Sequence, residues 1–380
     1  MVTVVLLSTL LPAVPGNAAT ISCGRSITTS IVVSNDLSGC LVNGLVVRAS
    51  GITIDLNGHT IDGTGAGIGI SNNGFDNVTI RNGTIHQFNY GIVLQSGATE
   101  NVIESMTLTH DDYALQISGA GDNTIVDNTI YKSSDYGLFI ENAPGSNVIT
   151  GNTVRLSSDT GMLLNGSGSN LITNNIVEGN GDRGIWLKSS SGPSVITGNT
   201  VKNNQDSGLI LELSNNNTVE ANTISGNFDS GIMLSEAHSN TVRGNDVRSN
   251  SSGIELSNSN RNFVLGNNAG NSQTIGIEVQ ESSNNRIRGN ISSWNNGPGI
   301  DLSGSGNFVE GNRTNKNGSD GMLIGAGACT IDFCSDNRIK LNTANYNAGW
   351  GIHAAGLDKG GNRAKFNAEP AQCWGVICSS

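Results

Sequence analysis

Short alternating runs of apolar and polar residues recur along the whole chain. Residues 123–142 read NTIVDNTIYKSSDYGLFIEN, which contains two N-x-I segments, a polar stretch and a segment of the form G-I-x-L. Period-two alternation interrupted by Gly, Asn, Ser and Asp is typical of strands joined by turns. Each unit is therefore predicted to form three short β-strands.

The unit repeats at a nearly constant spacing. Steps between unit starts are 22 to 25 residues, apart from one step of 30. The starts are Asn77, Asn101, Asn123, Asn147, Asn170, Ser194, Asn217, Asn240, Asn262, Asn285, Asn307, Asn337 and Asn362. One three-strand coil cannot bury its own apolar side, but stacked coils bury it between parallel strands. The sequence predicts an all-β, right-handed parallel β-helix of about fourteen coils.

A second asparagine follows the first by five residues in most units. Its members are Asn82, Asn128, Asn152, Asn175, Asn199, Asn222, Asn245, Asn267, Asn290, Asn312, Asn342 and Asn367. An amide both donates and accepts hydrogen bonds, so stacked Asn side chains can form a ladder along the axis. We predict a structural role for both asparagine columns.

This repeat resembles the parallel β-helix repeats of the pectate-lyase-like superfamily. It is most similar to the NosD-type β-helix and to the carbohydrate-binding and sugar-hydrolysis repeats, over residues 45–370. The resemblance implies a β-helix and a connection with polysaccharides. It implies no particular reaction, because many activities share this scaffold.

The chain divides into four predicted segments. Residues 1–19 contain a short apolar run followed by small residues, which indicates a secretory signal peptide, although no Lys or Arg precedes Arg25. Residues 20–50 are predicted as an N-terminal cap, 51–370 as the β-helix and 371–380 as a C-terminal cap. The apolar run is too short to span a membrane.

The six cysteines form three local pairs, at 23 and 40, 329 and 334, and 373 and 378. Disulfides are the expected state in an exported chain, so we predict a secreted or cell-surface protein. An insertion at 325–336 contains the middle pair and is either a disulfide-pinned loop or part of a binding face. The net charge of −11 argues against a nucleic-acid partner.

An aspartate column lies two residues before the Gly of successive G-I-x-L segments. It consists of Asp112, Asp135, Asp159, Asp182, Asp206 and Asp229. Carboxylates about 5 Å apart repel by about 1 kcal/mol per neighbour in water, so each needs a partner. Three interpretations remain open. The aspartates cap their own turns, or calcium is bound by Asp135, Asp159, Asp182 and Asp206. In the third interpretation a substrate is contacted by Asp135, Asp159 and Asp182.

The residue between the two apolar positions of G-I-x-L is predicted to point outward. This outer column contains Val93, Gln116, Phe139, Leu163, Trp186, Ile210 and Met233, and then Glu255, Glu278 and Asp301. Phe139 and Trp186 beside the aspartates are typical of a sugar-binding surface. The alternative is an apolar patch covered by another segment or by a second copy of the chain.

His110, Asp111 and Asp112 are adjacent in LTHDDYALQI. Such a trio can perform general acid–base catalysis, and sugar hydrolysis uses two carboxylates; the alternative is a solvated loop. The Asp-Asp pair resembles that of polygalacturonases, but NYGIVL and DYGLFI lack the remaining family motifs and place Tyr136 where that family has His. The Asp-Pro-His motif of mannuronan epimerases is also missing, so no lyase, epimerase or hydrolase motif is complete.

Copper binding has little support, because the histidines are scattered along the chain. The sequence establishes no cofactor, and calcium is the candidate that the Asp column leaves open. The predicted function is binding, and processing if the chain is an enzyme, of an extracellular polysaccharide along the outer face of residues 112–233. The alternative is a non-catalytic surface protein whose apolar strip mediates self-association or adhesion.

Overall fold

The strands of the described residues pair in parallel with the equivalent strands of neighbouring turns, as Leu138–Glu141 does with Tyr113–Ser118 and Met162–Asn165. The structure is a computed structural model that describes residues 20–190, 192–325 and 336–379. The predicted signal peptide, Cys329 and Cys334 lie outside the described residues. The described part is all-β and contains no helix, which confirms the predicted parallel β-helix.

Each coil contributes one strand to each of three sheets. Sheet 1, formed by the first N-x-I segments, contains Ile31–Val32, Thr53–Asp55, Thr79–His86, Val102–Thr109, Thr124–Val126, Val148–Thr150, Leu171–Thr173, Val195–Thr197, Thr218–Glu220, Thr241–Arg243, Phe263–Leu265, Arg286–Arg288, Phe308–Glu310, Arg338–Lys340 and Leu357–Asp358. Thr79–His86 and Val102–Thr109 continue around the corner into sheet 2.

Sheet 2, formed by the second N-x-I segments, also contains Leu37–Cys40, Thr60–Gly63, Thr129–Tyr131, Thr153–Arg155, Ile176–Glu178, Thr200–Lys202, Thr223–Ser225, Thr343–Asn345, Asn362–Lys365 and Cys378–Ser379. Between Ser225 and Thr343 it continues only as isolated bridges at Asp246, Asn268, Ile291 and Arg313.

Sheet 3, formed by the G-I-x-L segments, contains Arg25–Ile27, Asn43–Val47, Ile68–Asn73, Tyr90–Gln95, Tyr113–Ser118, Leu138–Glu141, Met162–Asn165, Ile185–Lys188, Leu209–Glu212, Ile232–Ser235, Ile254–Ser257, Ile277–Gln280, Ile300–Leu302, Met322–Ile324, Ile352–Ala354 and Cys373–Trp374.

The core is a column of inward aliphatic side chains from all three sheets. Ile125 pairs with Ile149, and Ile130 with Val154, in consecutive coils, and all four side chains are fully buried. The coil closes around them because strand side chains alternate between inside and outside. The repeat therefore stacks in register, with each apolar position above the same position of the next coil.

Both predicted asparagine ladders form inside the coil corners. Asn199 Oδ1 accepts hydrogen bonds from the backbone N–H and the side-chain amide of Asn175, at 2.9 and 3.0 Å. The amide of Asn199 in turn donates to the Ile172 carbonyl at 2.9 Å and to Asn222 Oδ1 at 3.0 Å. These bonds satisfy backbone N–H groups that are buried at the corner.

Four assignments to these ladders were wrong. Asn367 accepts from the amide of Asn347 at 2.9 Å and belongs to a third ladder, not to the second. Asn77 and Asn82 are exposed corner residues with φ of 56° and 58°, one residue ahead of the ladder positions. Asn362 accepts from the backbone N–H of Asn342 at 3.1 Å, so it belongs to the second ladder rather than starting a new unit. The last coil is shorter than the sequence spacing indicated.

A third amide ladder precedes the strands of sheet 3 and was missed in the sequence. Asn204 Oδ1 accepts from the backbone N–H and the amide of Asn180 at 3.1 and 2.9 Å. The series continues through Asn227 and Asn250. In most coils this ladder stands two positions before the Asp column. Its distance from the first Asn of the unit is also nearly constant, so a count from that Asn would have found it.

Disulfides link Cys23 to Cys40 and Cys373 to Cys378, at the two ends of the stack. The predicted N-terminal cap, residues 20–50, contributes strands that pair in register with the following coils. Sheet 3 consequently has sixteen strands, and the stack has about 15 turns rather than fourteen. No helix long and apolar enough to cross a membrane occurs among the described residues.

We predict that Asn199→Ala lowers the free energy of unfolding by about 3 kcal/mol, because it leaves buried N–H groups of Asn175 without an acceptor. Urea unfolding followed by circular dichroism measures the loss. Gln205→Ala, at an exposed position in the same coil, is the control and should change stability by less than about 0.5 kcal/mol. Equal losses in the two variants would contradict a stabilising ladder.

Candidate functional site

The outer face of sheet 3 presents the predicted apolar column. Phe139 on Leu138–Glu141 and Trp186 on Ile185–Lys188 point outward and are half-buried. Leu163 and Ile210, between and beyond them, are only 5% exposed. Neighbouring side chains therefore cover Leu163 and Ile210, and the rings of Phe139 and Trp186 are more accessible to solvent than these two residues.

Three tyrosines form a second aromatic column on the same face. Tyr90, Tyr113 and Tyr136 stand one residue before the inward strand positions of consecutive coils. The ring centroids of Tyr90 and Tyr113 lie 5.0 Å apart, those of Tyr113 and Tyr136 lie 5.6 Å apart, and Tyr136 stacks on Phe139 at 5.3 Å. We call Tyr90, Tyr113, Tyr136, Phe139 and Trp186 the aromatic strip.

These tyrosines were not predicted as a group, although NYGIVL, DYALQI and DYGLFI place them at one position of the repeat, directly after the Asp column. Their signal is a residue type repeated in register, the same signal that identified the other columns.

Two cations contact the ring of Trp186. The Arg183 guanidinium is 4.1 Å and the Lys188 ammonium 4.7 Å from the centroid of its ring. The indole Nε1 is buried and has no hydrogen-bond partner in the described part of the chain. A buried donor without a partner is costly.

The aspartates of the column stack through the backbone and cap their own turns. The Asp135 N–H donates to the Asp112 carbonyl at 3.0 Å. Asp159 accepts from the N–H of the next residue at 2.6 Å, and Asp206 does the same at 2.8 Å. The first interpretation, turn capping, therefore holds for these two.

Arg183 offsets the repulsion in the middle of the column. Its Nη1 lies 2.8 Å from Asp182 and its Nε 3.4 Å from Asp206. Burial nevertheless raises the pKa of the Asp182 carboxyl, and the neighbouring carboxylates add to this effect. Burial likewise raises the pKa of Asp229.

Asp135 interacts with Tyr113 of the preceding coil. A hydrogen bond to its carboxylate, together with burial, raises the pKa of the Tyr113 hydroxyl well above its usual value. Among the described residues, no group of three His, Cys, Asp or Glu side chains is arranged to hold a metal ion. Calcium binding by Asp135, Asp159, Asp182 and Asp206 stays a prediction.

The structure does not bring His110, Asp111 and Asp112 together as one site. Asp111 points into the coil, where it is 0% exposed and takes a position in the third ladder. Its Oδ1 accepts the Phe88 N–H at 2.8 Å. His110 is exposed at the corner, against His86 at 5.3 Å, and Asp112 lies at the edge of sheet 3. The trio is split because each residue points a different way.

Asp111 is a buried acid without full hydrogen bonding. Its Oδ2 has no partner among the described residues, and neither do the hydroxyls of Ser133 and Ser157 in the next two coils. Burial raises the pKa of Asp111 to about 8, and the Asp112 charge adds to the increase, while the Phe88 N–H opposes it. The buried carboxyl of Asp111 therefore lowers the stability of the fold, and it cannot reach a substrate.

A second cluster lies at the C-terminal end of sheet 3 and was not predicted. Asp320 accepts the Trp350 N–H at 2.7 Å, and its other oxygen is 3.5 Å from His353 Nδ1. The His353 ring contacts Trp374 at 4.9 Å and Trp350 at 5.9 Å. Asp301 lies in the outer column two coils before His353; burial and the charge of Asp320 raise its pKa.

Comparison with known proteins agrees with this architecture. The family model described as "right handed beta helix region" matches residues 21–158 and 238–368, and the model of "periplasmic copper-binding protein (NosD)" matches residues 147–275. No match was found among curated proteins.

Two solved structures illustrate the likeness in fold. A mutant of the periplasmic alginate epimerase AlgG has a TM-score of 0.54 at 16% identity, covering 87% of this chain and 78% of its own. The A-module of the mannuronan C-5 epimerase AlgE6 from Azotobacter vinelandii has a TM-score of 0.50 at 14% identity, covering 96% and 91%. At such low identity the likeness shows the shared fold.

We predict that Asp111→Asn stabilises the protein, and more so as pH rises. The native carboxyl keeps its proton up to about pH 8, whereas the unfolded chain releases it near pH 4. Native stability from this group therefore falls with rising pH through that window, and a neutral Asn removes the fall.

Thermal unfolding at about pH 4 and about pH 8 measures the effect, which we expect to be on the order of 1–3 kcal/mol at the higher pH. Asp112→Asn, which neutralises the neighbouring outer carboxylate, is the matched control. A gain from Asp111→Asn that is equal at both pH values would contradict the buried protonated acid.

Proposed function

This chain belongs to the right-handed β-helix family, and from that premise we propose that it binds an extracellular polysaccharide along the outer face of sheet 3. The aromatic strip is the observation that carries the proposal. Its five rings lie on four of five consecutive coils that are about 4.8 Å apart, with Leu163 in the coil that has no ring, so they form a long surface. A polymer of regular repeat fits such a surface better than a compact ligand does.

The chemistry of the strip matches a sugar chain. Aromatic rings pack on the apolar faces of sugar rings, while carboxylates and hydroxyls bind their polar edges. The aspartates from Asp112 to Asp229 lie along the same side of the strip. Because stacked carboxylates repel a polyanion, this face favours a neutral or amino-bearing polysaccharide.

Two further observations support this function. The epimerases of similar fold are named for alginate and mannuronan. Both polymers are polyuronates, so they support a polysaccharide ligand in general and not the neutral or amino-bearing class that the Asp column favours. The disulfides Cys23–Cys40 and Cys373–Cys378 are typical of an oxidising, extracytoplasmic environment. We propose a secreted or cell-surface location on this basis.

Self-association along the strip is the alternative occupant. A stable interface buries about 800 Å² per partner, with an apolar centre. Leu163 and Ile210 offer little apolar area, because each is only 5% exposed. The half-buried rings with polar borders therefore favour a sugar over a second copy of the chain.

Processing is a second candidate function, carried by the pair His353 and Asp320. The carboxylate lies 3.5 Å from the imidazole and can hold its orientation, and Trp350 and Trp374 flank the ring. Lysis, epimerisation and hydrolysis of a polysaccharide each require a proton transfer. We propose that the His353 imidazole transfers this proton and that Asp320 holds the imidazole in position.

We predict that Trp186→Ala and Tyr136→Ala each weaken binding of neutral or amino-bearing oligosaccharides about tenfold, because each removes a stacking ring worth about 1 kcal/mol or more. Titration calorimetry with cello-, xylo- and chito-oligosaccharides measures the affinities. Phe263→Ala removes a more exposed ring, 44% exposed, from sheet 1 and is the control for loss of a surface aromatic residue away from the strip.

The binding proposal fails if none of these sugars binds, or if the control weakens binding as much as the strip variants do. Sedimentation of the same variants tests the alternative: a wild-type dimer that Trp186→Ser dissociates, without any sugar binding, would favour self-association.

We predict that His353→Gln lowers any polysaccharide turnover at least about 100-fold, because it removes the group that transfers the proton, and leaves oligosaccharide affinity within about twofold. Product release from the bound oligosaccharides, followed by chromatography, measures turnover. An inactive wild type, or turnover that survives the substitution, would exclude this assignment.

A further inference from the structure

One corner of the β-helix carries exposed aromatic rings outside the aromatic strip. Trp294, Tyr346 and Phe366 stand directly before the third asparagine ladder, and their side chains are 58%, 52% and 63% exposed. Tyr346 and Phe366 stack on each other with centroids 4.9 Å apart. Lys316 occupies the same corner position in the coil between Trp294 and Tyr346.

The backbone at this corner is left-handed. The φ angles of Trp294, Lys316, Tyr346 and Phe366 are 67°, 59°, 61° and 59°. Several earlier coils place Gly or Asn at the same position, as at Gly179, Asn203 and Gly226, whereas two others place Lys132 and Leu156 there. For a residue with a large side chain, the left-handed conformation costs about 1 kcal/mol or more in free energy. The backbone conformation of this corner therefore does not itself favour aromatic residues.

Cations without carboxylate partners border the same rings. The Lys316 ammonium lies 4.1 Å from the Trp294 ring centroid, and the Lys365 ammonium 5.5 Å from that of Phe366. Arg313 and Arg363 lie on the adjoining surface of sheet 2. Within the described ranges, none of these four cations forms an ion pair.

A groove runs along the corner beside these groups. It encloses about 590 Å³ and is lined by Trp294, Arg313, Lys316 and Tyr346. A second depression of about 290 Å³ shares Asn345 with it and is lined by Arg363 and Lys365. The groove forms where sheet 2 is reduced to isolated bridges. Side-chain amides, including those of Asn271 and Asn315, complete its wall.

The charges of the chain are divided along its length. Residues 1–240 contain 8 Lys and Arg against 20 Asp and Glu, whereas residues 241–380 contain 12 against 11. The acidic part carries the aromatic strip, and the groove lies in the balanced part. Two surfaces of opposite charge preference are therefore present on one molecule.

We propose that this groove is a second binding site, for an anionic polysaccharide such as a polyuronate. Unpaired cations bind its carboxylates, amides bind its hydroxyls, and the exposed rings pack on its sugars. The site differs from the sheet 3 surface in location and in ligand charge.

A single-stranded nucleic acid also combines negative charge with stacking groups. The polysaccharide is the better match because the chain has a net charge of −11 and a pI near 4.8, whereas nucleic-acid binding domains are strongly basic. In addition, the faces of Tyr346 and Phe366 that point at each other are occupied, so no base can insert between them.

The test uses the full chain with oligogalacturonate and oligomannuronate as probes, and poly(U) and neutral cello-oligosaccharides as comparisons. The triple variant Trp294→Asn, Lys316→Asn, Tyr346→Asn places at each corner the residue that Asn203 and Asn271 provide elsewhere. The fold should remain intact, with an unchanged or higher Tm.

We expect the polyuronates to bind the wild type, with an affinity that falls as salt increases, and to bind the triple variant at least about tenfold more weakly. Leu156→Asn makes the same change at an exposed corner outside the groove and should leave polyuronate affinity unchanged. Affinity for the neutral sugars should be the same in the wild type and the triple variant, which separates this site from the sheet 3 surface.

Three results would overturn the proposal: no polyuronate binding by the wild type, equal binding by the wild type and the triple variant, or tighter binding of poly(U) than of either polyuronate. Equal weakening by Leu156→Asn would also overturn it, because the effect would then not come from the groove.

Discussion

Buried asparagine ladders are the interaction on which the structure depends. At each corner the backbone turns inward, and its N–H groups face the core, where no strand can accept from them. The side chain of the Asn one coil later accepts both from the backbone and from the amide above it, as Asn199 does for Asn175. Because every coil needs this acceptor at the same place, all coils stack in one register.

A constant register has a consequence for the surface. Any residue type repeated at one position of the unit becomes a column with neighbours about 4.8 Å apart. For rings this is favourable, as between Tyr90 and Tyr113. For carboxylates this close spacing is unfavourable because like charges repel. In the Asp column the repulsion is offset by turn N–H groups, hydroxyls and Arg183. Outer columns can change without disturbing the ladders, which is why binding surfaces arise there.

The two proposed surfaces illustrate how one scaffold can present different chemistries. Sheet 3 combines the aromatic strip with aspartates in the acidic part of the chain, whereas the corner groove combines rings with unpaired cations farther along. The fold shared with the two epimerases accounts for the regular surface, but the residues on each column decide its ligand. His353 and Asp320 add the only acid–base pair flanked by tryptophans that we find among the described residues.

The sequence by itself determined the period, the three strands per coil, the first two ladders and the outward direction of Phe139 and Trp186, because in a solenoid distance along the chain maps directly onto position in space. Only the tertiary structure decided where a side chain points when the spacing within a unit changes by one residue. One residue fewer separates the third ladder from sheet 3 at Asp111 than at Asn204, so Asp111 turns inward and away from Asp112. Burial by neighbouring columns, the left-handed corner beneath Trp294, and the approach of Asp320 to His353 likewise depend on side chains from different coils, whose packing no single repeat unit contains.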